Sequence, residues 1–139
     1  MLVPDGAITP KLWKQKVGER VWLGPRVKGK FTLEAIPPGK DLIFVATGTG
    51  LAPFISMIRQ YHGQGRWRRL AVIHCARLAK DLAYGDELRE LAQGDPNFSY
   101  IPTVTREPAD SPWSGLRGRV QPIFEPTKFK ELAGFDLDP

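Results

Sequence analysis

Cysteine is nearly absent from this sequence. The single Cys75 excludes an internal disulfide and any multi-cysteine zinc site, and it fits a reducing compartment. Histidine is almost as rare, and His62 and His74 alone do not make a metal site. No apolar run approaches the roughly 18 residues of a membrane helix. The start, Met1-Leu2-Val3-Pro4-Asp5, lacks the charged and apolar regions of a signal peptide. The expectation is a cytoplasmic protein with no membrane partner. Internal repeats and low-complexity tracts are missing too.

The 139 residues suffice for one domain with a real core and fall short of two complete ones. A 42% hydrophobic and 25% charged composition argues against disorder. Twenty Lys and Arg against fifteen Asp and Glu give a net charge of +5. The basic residues fall in short groups, Arg26-Lys28-Lys30, Arg66-Arg68-Arg69 and Arg117-Arg119, not in one helix or tail. Such an excess suits nucleic acid or a small anion such as a nucleotide phosphate, and composition alone favours neither. A nucleic-acid partner is not expected, because no aromatic-and-basic strand face or recognition helix is visible.

The pattern changes character at Ile36-Pro37-Pro38-Gly39-Lys40, where consecutive prolines and a glycine mark a connection. Before it, Arg20-Val21-Trp22-Leu23 and Lys30-Phe31-Thr32-Leu33 read as two short strands around a turn-rich loop. Two strands alone are marginally stable, so residues 1–36 are expected to be the end of a β-domain whose beginning lies elsewhere. Trp22 and Phe31 are assigned to that domain's core.

After the connection, Leu42-Ile43-Phe44-Val45-Ala46 is a continuous apolar run, as a strand buried on both faces requires. Leu51, Phe54, Ile55, Ile58 and Tyr61 then trace one helical face, with Pro53 in the first turn and Gly63 at the stop. Leu70-Ala71-Val72-Ile73-His74-Cys75 predicts a second buried strand. Tyr84, Leu88, Leu91 and Ala92 predict a second helix ended by Gly94, and residues 98–104 a third strand weakened by Pro102. Shorter helical patterns follow at Val120, Ile123 and Phe124, and at Phe129, Leu132 and Ala133. This alternation predicts an α/β fold, a parallel sheet of three strands over residues 37–139. So thin a sheet implies that its final strands are missing.

Thr47-Gly48-Thr49-Gly50-Leu51-Ala52-Pro53 joins the first buried strand to the first helix. Glycines there let the chain turn sharply and let an anion approach the amides, and the helix N-terminus favours a phosphate. Pro53 stands where the third glycine of the dinucleotide fingerprint belongs, and no Gly-Lys-Ser/Thr follows. The loop is therefore a variant pyrophosphate turn. After the second strand comes Arg77, and after the third Thr105-Arg106, followed by Arg117 and Arg119 in a Gly/Pro/Ser-rich loop. Parallel strands present their carboxyl ends on one rim, so Arg77 and Arg106 are placed to converge on one anion, such as a 2′-phosphate. Cys75 reads as a packed residue, and His74 as a satisfied strand-end histidine that touches the nucleotide at most. Asp81, Asp86 and Glu87 read as early-helix acids. Trp113 is either an adenine stacker or a loop anchor.

Val45-Ala46-Thr47-Gly48-Thr49-Gly50-Leu51-Ala52-Pro53-Phe54 resembles the signature loop of the ferredoxin–NADP reductase family. His74-Cys75-Ala76-Arg77, Asp81-Leu82-Ala83-Tyr84, Thr105-Arg106-Glu107 and Gly115-Leu116-Arg117-Gly118-Arg119 are similar to later stretches of its bacterial-type members. The resemblance implies a flavoenzyme in which an antiparallel β-barrel binds FAD and a parallel α/β domain binds NADP. Residues 1–36 would be the barrel's last strands and residues 37–139 the NADP domain. Thr47, Gly48, Thr49, Gly50 and Pro53 would form the loop that brings the pyridine nucleotide to the flavin. Arg77, Thr105, Arg106 and Arg119 would hold the 2′-phosphate side, with Arg117 as the alternative to Arg119 and Tyr84 as a structural residue.

The family's flavin-binding Arg-x-Tyr-Ser segment, its Cys-Gly stretch near the nicotinamide and its C-terminal aromatic have no counterpart in the sequence. The implied chain is a fragment that holds part of NADP and does not turn over alone. In the intact enzyme, hydride would pass between NADPH and FAD, and electrons to or from ferredoxin or flavodoxin. The rivals are an NADH-dependent reductase component of an oxygenase and a non-catalytic regulatory subunit.

Overall fold

A computed structural model describes residues 3–26 and 29–137. Met1 and Leu2 of the chain start, Val27 and Lys28 of the expected turn, and Asp138 and Pro139 lie outside the described residues. The chain divides into two compact units, Met1–Phe31 and Thr32–Pro139.

The first unit carries one short helix, α1 (Thr9–Trp13), with a proline in its first turn and no buried residue. The Thr9 hydroxyl accepts from the Val3 amide and donates to the Val3 carbonyl, both at 3.0 Å. The strands expected at 20–23 and 30–33 do not form a ladder among the described residues. Val21, Trp22, Leu23 and Phe31 are all exposed, so the core expected around Trp22 and Phe31 is not formed either. Alternation over four residues marks a segment that suits a strand; a ladder also needs a partner edge.

The second unit is built on a parallel four-stranded sheet in the order β1-β2-β3-β4. Its strands are β1 (Lys40–Thr47), β2 (Trp67–Ala76), β3 (Phe98–Val104) and β4 (Leu116–Arg117). The helices are α2 (Ala52–Tyr61), α3 (Gly85–Gly94) and α4 (Pro126–Ala133). The first three strands and these helices follow the expected pattern. β4 corrects the count of three: it pairs Thr103 with Leu116 and Val104 with Arg117. Two residues are too short to carry a hydrophobic period. The pattern at 120–124 becomes a short 3-10 turn, Gln121–Phe124.

β2 is buried along nearly its whole length because helices cover both faces of the sheet. Leu70, Val72, Phe44, Ala46 and Phe98 point into one core with Ile55 and Ile58 of α2 and Leu88 of α3. Ala71, Ile73 and Ile101 point into the other with Phe129 and Ala133 of α4. The alternation along each strand thus divides its side chains between two apolar layers. Leu33 and Ile36 pack with the first of these cores, although they precede the Pro37-Pro38 connection.

The expected basic group at 66–69 lies at the amino end of β2 and is occupied by protein partners. The Arg66 guanidinium donates to the carbonyls of Leu33 and Ile36, the latter at 2.7 Å, and fixes the connection. Asp41 accepts from Arg68 at 2.8 and 2.6 Å and from Arg69 at 3.1 and 2.6 Å. These bonds hold its carboxyl well below the usual aspartate range. A depressed carboxylate stabilises the fold above its unfolded pKa, and that stability drains as pH falls toward the folded value. Asp41→Asn should therefore cost about 1 kcal/mol at pH 7, a figure discounted because Arg68 is largely exposed. Urea denaturation at pH 7 and pH 3 checks this: the gap between variant and wild type should shrink at the lower pH.

Candidate functional site

The carboxyl ends of all four strands share one rim because the sheet is wholly parallel. β1 ends at Thr47, and the chain turns through Gly48–Leu51 as a single 3-10 turn before entering α2. Gly48 has φ +52°, the left-handed region that a side chain would strain. A Cβ added at Gly48 or Gly50 would meet nothing within 4 Å, so both glycines face open space. Thr47, Thr49, Gly50 and Pro53 are exposed, while Leu51 anchors the turn with 1% exposure. Pro53 lies in the first turn of α2, as its sequence position predicted. The result is an open backbone cradle followed by a helix N-terminus, suited to a phosphate.

Beneath it stands His74, fully buried, a position that burial keeps below the ordinary histidine pKa despite the opposing pull of the Gly48 main chain. Its Nδ1 lies 3.3 Å from the Tyr100 hydroxyl, whose own pKa burial pushes up to about 12. Its Nε2 has no geometric hydrogen-bond partner among the described residues, so the expectation of a satisfied histidine holds for one ring nitrogen and not for the other. Complete burial also keeps the ring from an exposed ligand. Cys75 is buried, and burial raises its thiol pKa against the opposing charge of Arg119. It is the packed residue its position predicted, not a nucleophile.

Past β2 and β3 the rim is stitched by the main chain. The Thr105 amide donates to Ala76 O at 3.0 Å and the Arg106 amide to Arg77 O at 2.8 Å. The Thr105 hydroxyl donates to Ala76 O at 3.3 Å, and so has a structural partner. Past β4, the Gly118 amide donates to Val104 O at 2.8 Å, which sets Arg119 beside the same rim. Arg77, Arg106 and Arg119 are exposed, and none of the three guanidiniums has a hydrogen bond or ion pair among the described residues.

Arg117 differs. Its Nη1 donates to Glu107 O at 2.8 Å and Pro108 O at 3.1 Å. Its Nη2 donates to Ser111 Oγ at 3.3 Å and Trp113 O at 3.2 Å. Of the two arginines left as alternatives by the sequence, Arg119 is therefore the free one. Trp113 proves to be the loop anchor: its Nε1 donates to Leu116 O at 3.1 Å, and its ring packs on Ala76, Leu82 and Val104. A Cβ on Gly115 would sit 2.4 Å from that ring, so only glycine fits there.

Glu107 is a participant that sequence reasoning passed over. Its Oε2 accepts from the Ala79 amide at 2.6 Å and ties the loop after β3 to the loop after β2. No spacing pattern marks such a contact. Tyr84 takes the structural part expected of it. It precedes α3 in the left-handed region at φ +59°, with the Arg59 guanidinium 5.3 Å from its ring centroid. Arg59 also forms a two-bond pair with Glu87, 2.8 Å each. Glu87 and Asp86 do lie in the first turn of α3, whereas Asp81 falls in the 3-10 turn before it.

Residues 44–133 match the family described as the oxidoreductase NAD-binding domain. A flavodoxin/ferredoxin–NADP reductase of Rhodobacter capsulatus is 40% identical over 113 residues, 76% of this chain and 42% of its own length. Ferredoxin–NADP reductase A of Sorangium cellulosum is 36% identical over 146 residues, 99% of this chain and 51% of its own. A solved ferredoxin NADP+ reductase of Neisseria gonorrhoeae, with bound FAD and NADP, matches with a TM-score of 0.80 at 27% identity. That match covers 99% of this chain and 55% of the other. The chain thus spans about half the length of the curated relatives it matches. With its glycine turn, parallel rim and matched span of residues, the chain belongs to the oxidoreductase NAD-binding domain family and is similar in sequence and fold to ferredoxin–NADP reductases.

Proposed function

We propose that this chain is the nucleotide-binding part of a ferredoxin–NADP reductase and that it holds NADP(H) across the carboxyl rim of its sheet. One observation carries the reading: three arginines with free guanidiniums, Arg77, Arg106 and Arg119, follow successive strands on the rim that bears the Gly48–Gly50 cradle. A dianionic 2′-phosphate is the ligand that such a set favours, since charge-assisted bonds each contribute about 1.5–3 kcal/mol. The cradle and the N-terminus of α2 supply main-chain donors for the pyrophosphate.

The whole protein's activity follows as part of the proposal. Residues 1–36 would be the last part of an FAD-binding β-domain. FAD, when bound, supplies the hydride and single-electron chemistry. The residues of this chain bind and orient the nicotinamide nucleotide toward it. Ferredoxin or flavodoxin would be the electron partner, in the compartment that holds them, for which the cytoplasm is our assignment. No helix among the described residues is long and apolar enough to cross a membrane.

The test is a titration of the chain with NADP+ and with NAD+, followed by calorimetry. NADP+ should bind at least about tenfold more tightly, the worth of one charge-assisted bond. Equal affinities would sink the reading in favour of an NADH-using reductase, and the absence of binding would favour a chain that does not handle nucleotides.

A further inference from the structure

We infer that Arg117 is a positioning residue. It buckles the loop between β3 and β4, and the two arginines flanking that loop, Arg106 and Arg119, owe their placement to it. The inference rests on the nucleotide reading above and assigns the parts within it.

Apart from the Trp113 anchor, the loop from 107 to 115 has little of its own to hold it. It contains Pro108, Pro112, Ser111, Ser114 and Gly115, and it has no helix and no apolar stripe. Four of its groups instead converge on one guanidinium: the carbonyls of Glu107, Pro108 and Trp113, and the Ser111 hydroxyl. The planar fork of arginine offers five donors in fixed directions, and a lysine ammonium cannot span acceptors spread over seven residues in the same way. Arg117 is itself held by β4, where it pairs with Val104 in the sheet. The buckle therefore links the rigid sheet edge directly to the far side of the loop. Glu107 makes the second fastening, through the Ala79 amide.

Two consequences separate this role from a phosphate contact. A guanidinium with four internal acceptors has little left to offer a ligand, whereas Arg119, one residue past Gly118, makes no hydrogen bond or ion pair among the described residues. Loss of the buckle should loosen residues 107–115 and spread the positions of Arg106 and Arg119. Ordering them again on binding then costs affinity, in a way that restoring only the charge does not repair.

The experiment uses the full chain and two probes, 2′,5′-ADP, which carries the 2′-phosphate, and ADP, which lacks it. Wild type, Arg117→Met, Arg117→Lys and Arg119→Met are titrated with each, and amide hydrogen exchange is followed over residues 107–115. Arg119→Met should weaken 2′,5′-ADP and leave exchange in the free protein unchanged. Arg117→Met should weaken 2′,5′-ADP by about tenfold and speed exchange across the loop, and Arg117→Lys should repair neither. Rescue of affinity by lysine with unchanged exchange would make Arg117 a direct charge contact and overturn the inference. Unchanged affinity in Arg117→Met would overturn it as well. Wild type binding both probes equally is a different result: it would overturn the nucleotide reading itself and this inference with it. Thermal melts of the variants separate a loosened loop from an unfolded chain.

Discussion

Arg106→Ala is expected to weaken binding of a 2′-phosphorylated nucleotide by roughly 10–100-fold and to leave NAD+ affinity nearly unchanged. Arg106 directly follows β3, and its amide is fixed to Arg77 O at 2.8 Å, so the backbone that carries it is part of the sheet. Its side chain is exposed and has no partner among the described residues, so removing it leaves no buried group unpaired. The substitution therefore reports the ligand contact and little else. Arg66→Ala would make a poor comparison, because that guanidinium holds the carbonyls of Leu33 and Ile36 and its loss disturbs the fold. Arg89→Ala is the better control: it sits on the exposed surface of α3, where its guanidinium pairs with Asp86 in its own first turn. Titration with NADP+ and NAD+ at two salt concentrations decides the matter. A loss confined to NADP+ and smaller at high salt supports the assignment, and equal losses for both nucleotides would remove Arg106 from the 2′-phosphate site.

Much of this rim was readable in the sequence, for a definite reason. A strand covered by helices on both faces must be apolar throughout, so residues 42–46 and 70–75 stand out from any amphipathic background. Glycines directly after such a strand, and arginines directly after the next two, then fall on one rim by topology alone. Even Pro102 inside β3 has an account. The Thr105 amide points toward β2, so alternation sends position 102 toward the other side, where β4 has not yet begun. The missing N–H of proline leaves no ladder bond unmade there.

What was not readable depends on contacts between segments far apart in the chain. The division of labour between Arg117 and Arg119 is invisible in Gly115-Leu116-Arg117-Gly118-Arg119, because two arginines at spacing two look alike. Only the two-residue pairing of β4 with β3 decides which of them turns back into the loop. The partners of the basic group at 66–69 are hidden for the same reason. Its charge is answered by Asp41 and by two carbonyls at the opposite end of the sheet from the rim, none of them neighbours in sequence. Near the start, Trp22 and Phe31 have the composition of a strand core, but apolar residues form a ladder only when an edge is available to pair with them.

Phe129→Ala should be the most damaging single change in the second unit, costing about 3–5 kcal/mol. The ring is fully buried among the residues that cover the Ala71–Ile73–Ile101 face of the sheet. It lies parallel to Phe124 at 6.2 Å and meets Phe135 edge-on at 5.3 Å. Phe135 in turn lies under Arg69, 4.7 Å from its ring centroid. Truncation therefore opens a cavity at the centre of an aromatic cluster whose neighbours are themselves fixed, so little collapse can fill it. Against a typical stability of about 5–15 kcal/mol, such a loss leaves a marginal fold. Urea denaturation should show a much lower midpoint with an unchanged slope, and Phe129→Leu should recover part of the difference. A cost below about 1.5 kcal/mol would mean that α4 is not packed as described. The site offers a separate check. α4 packs on one face of the sheet, and none of the residues assigned to the site belongs to it, so whatever Phe129→Ala still folds should discriminate NADP+ from NAD+ as well as wild type. Loss of stability with retained discrimination, set beside retained stability with lost discrimination in Arg106→Ala, would separate the scaffold from the site it carries.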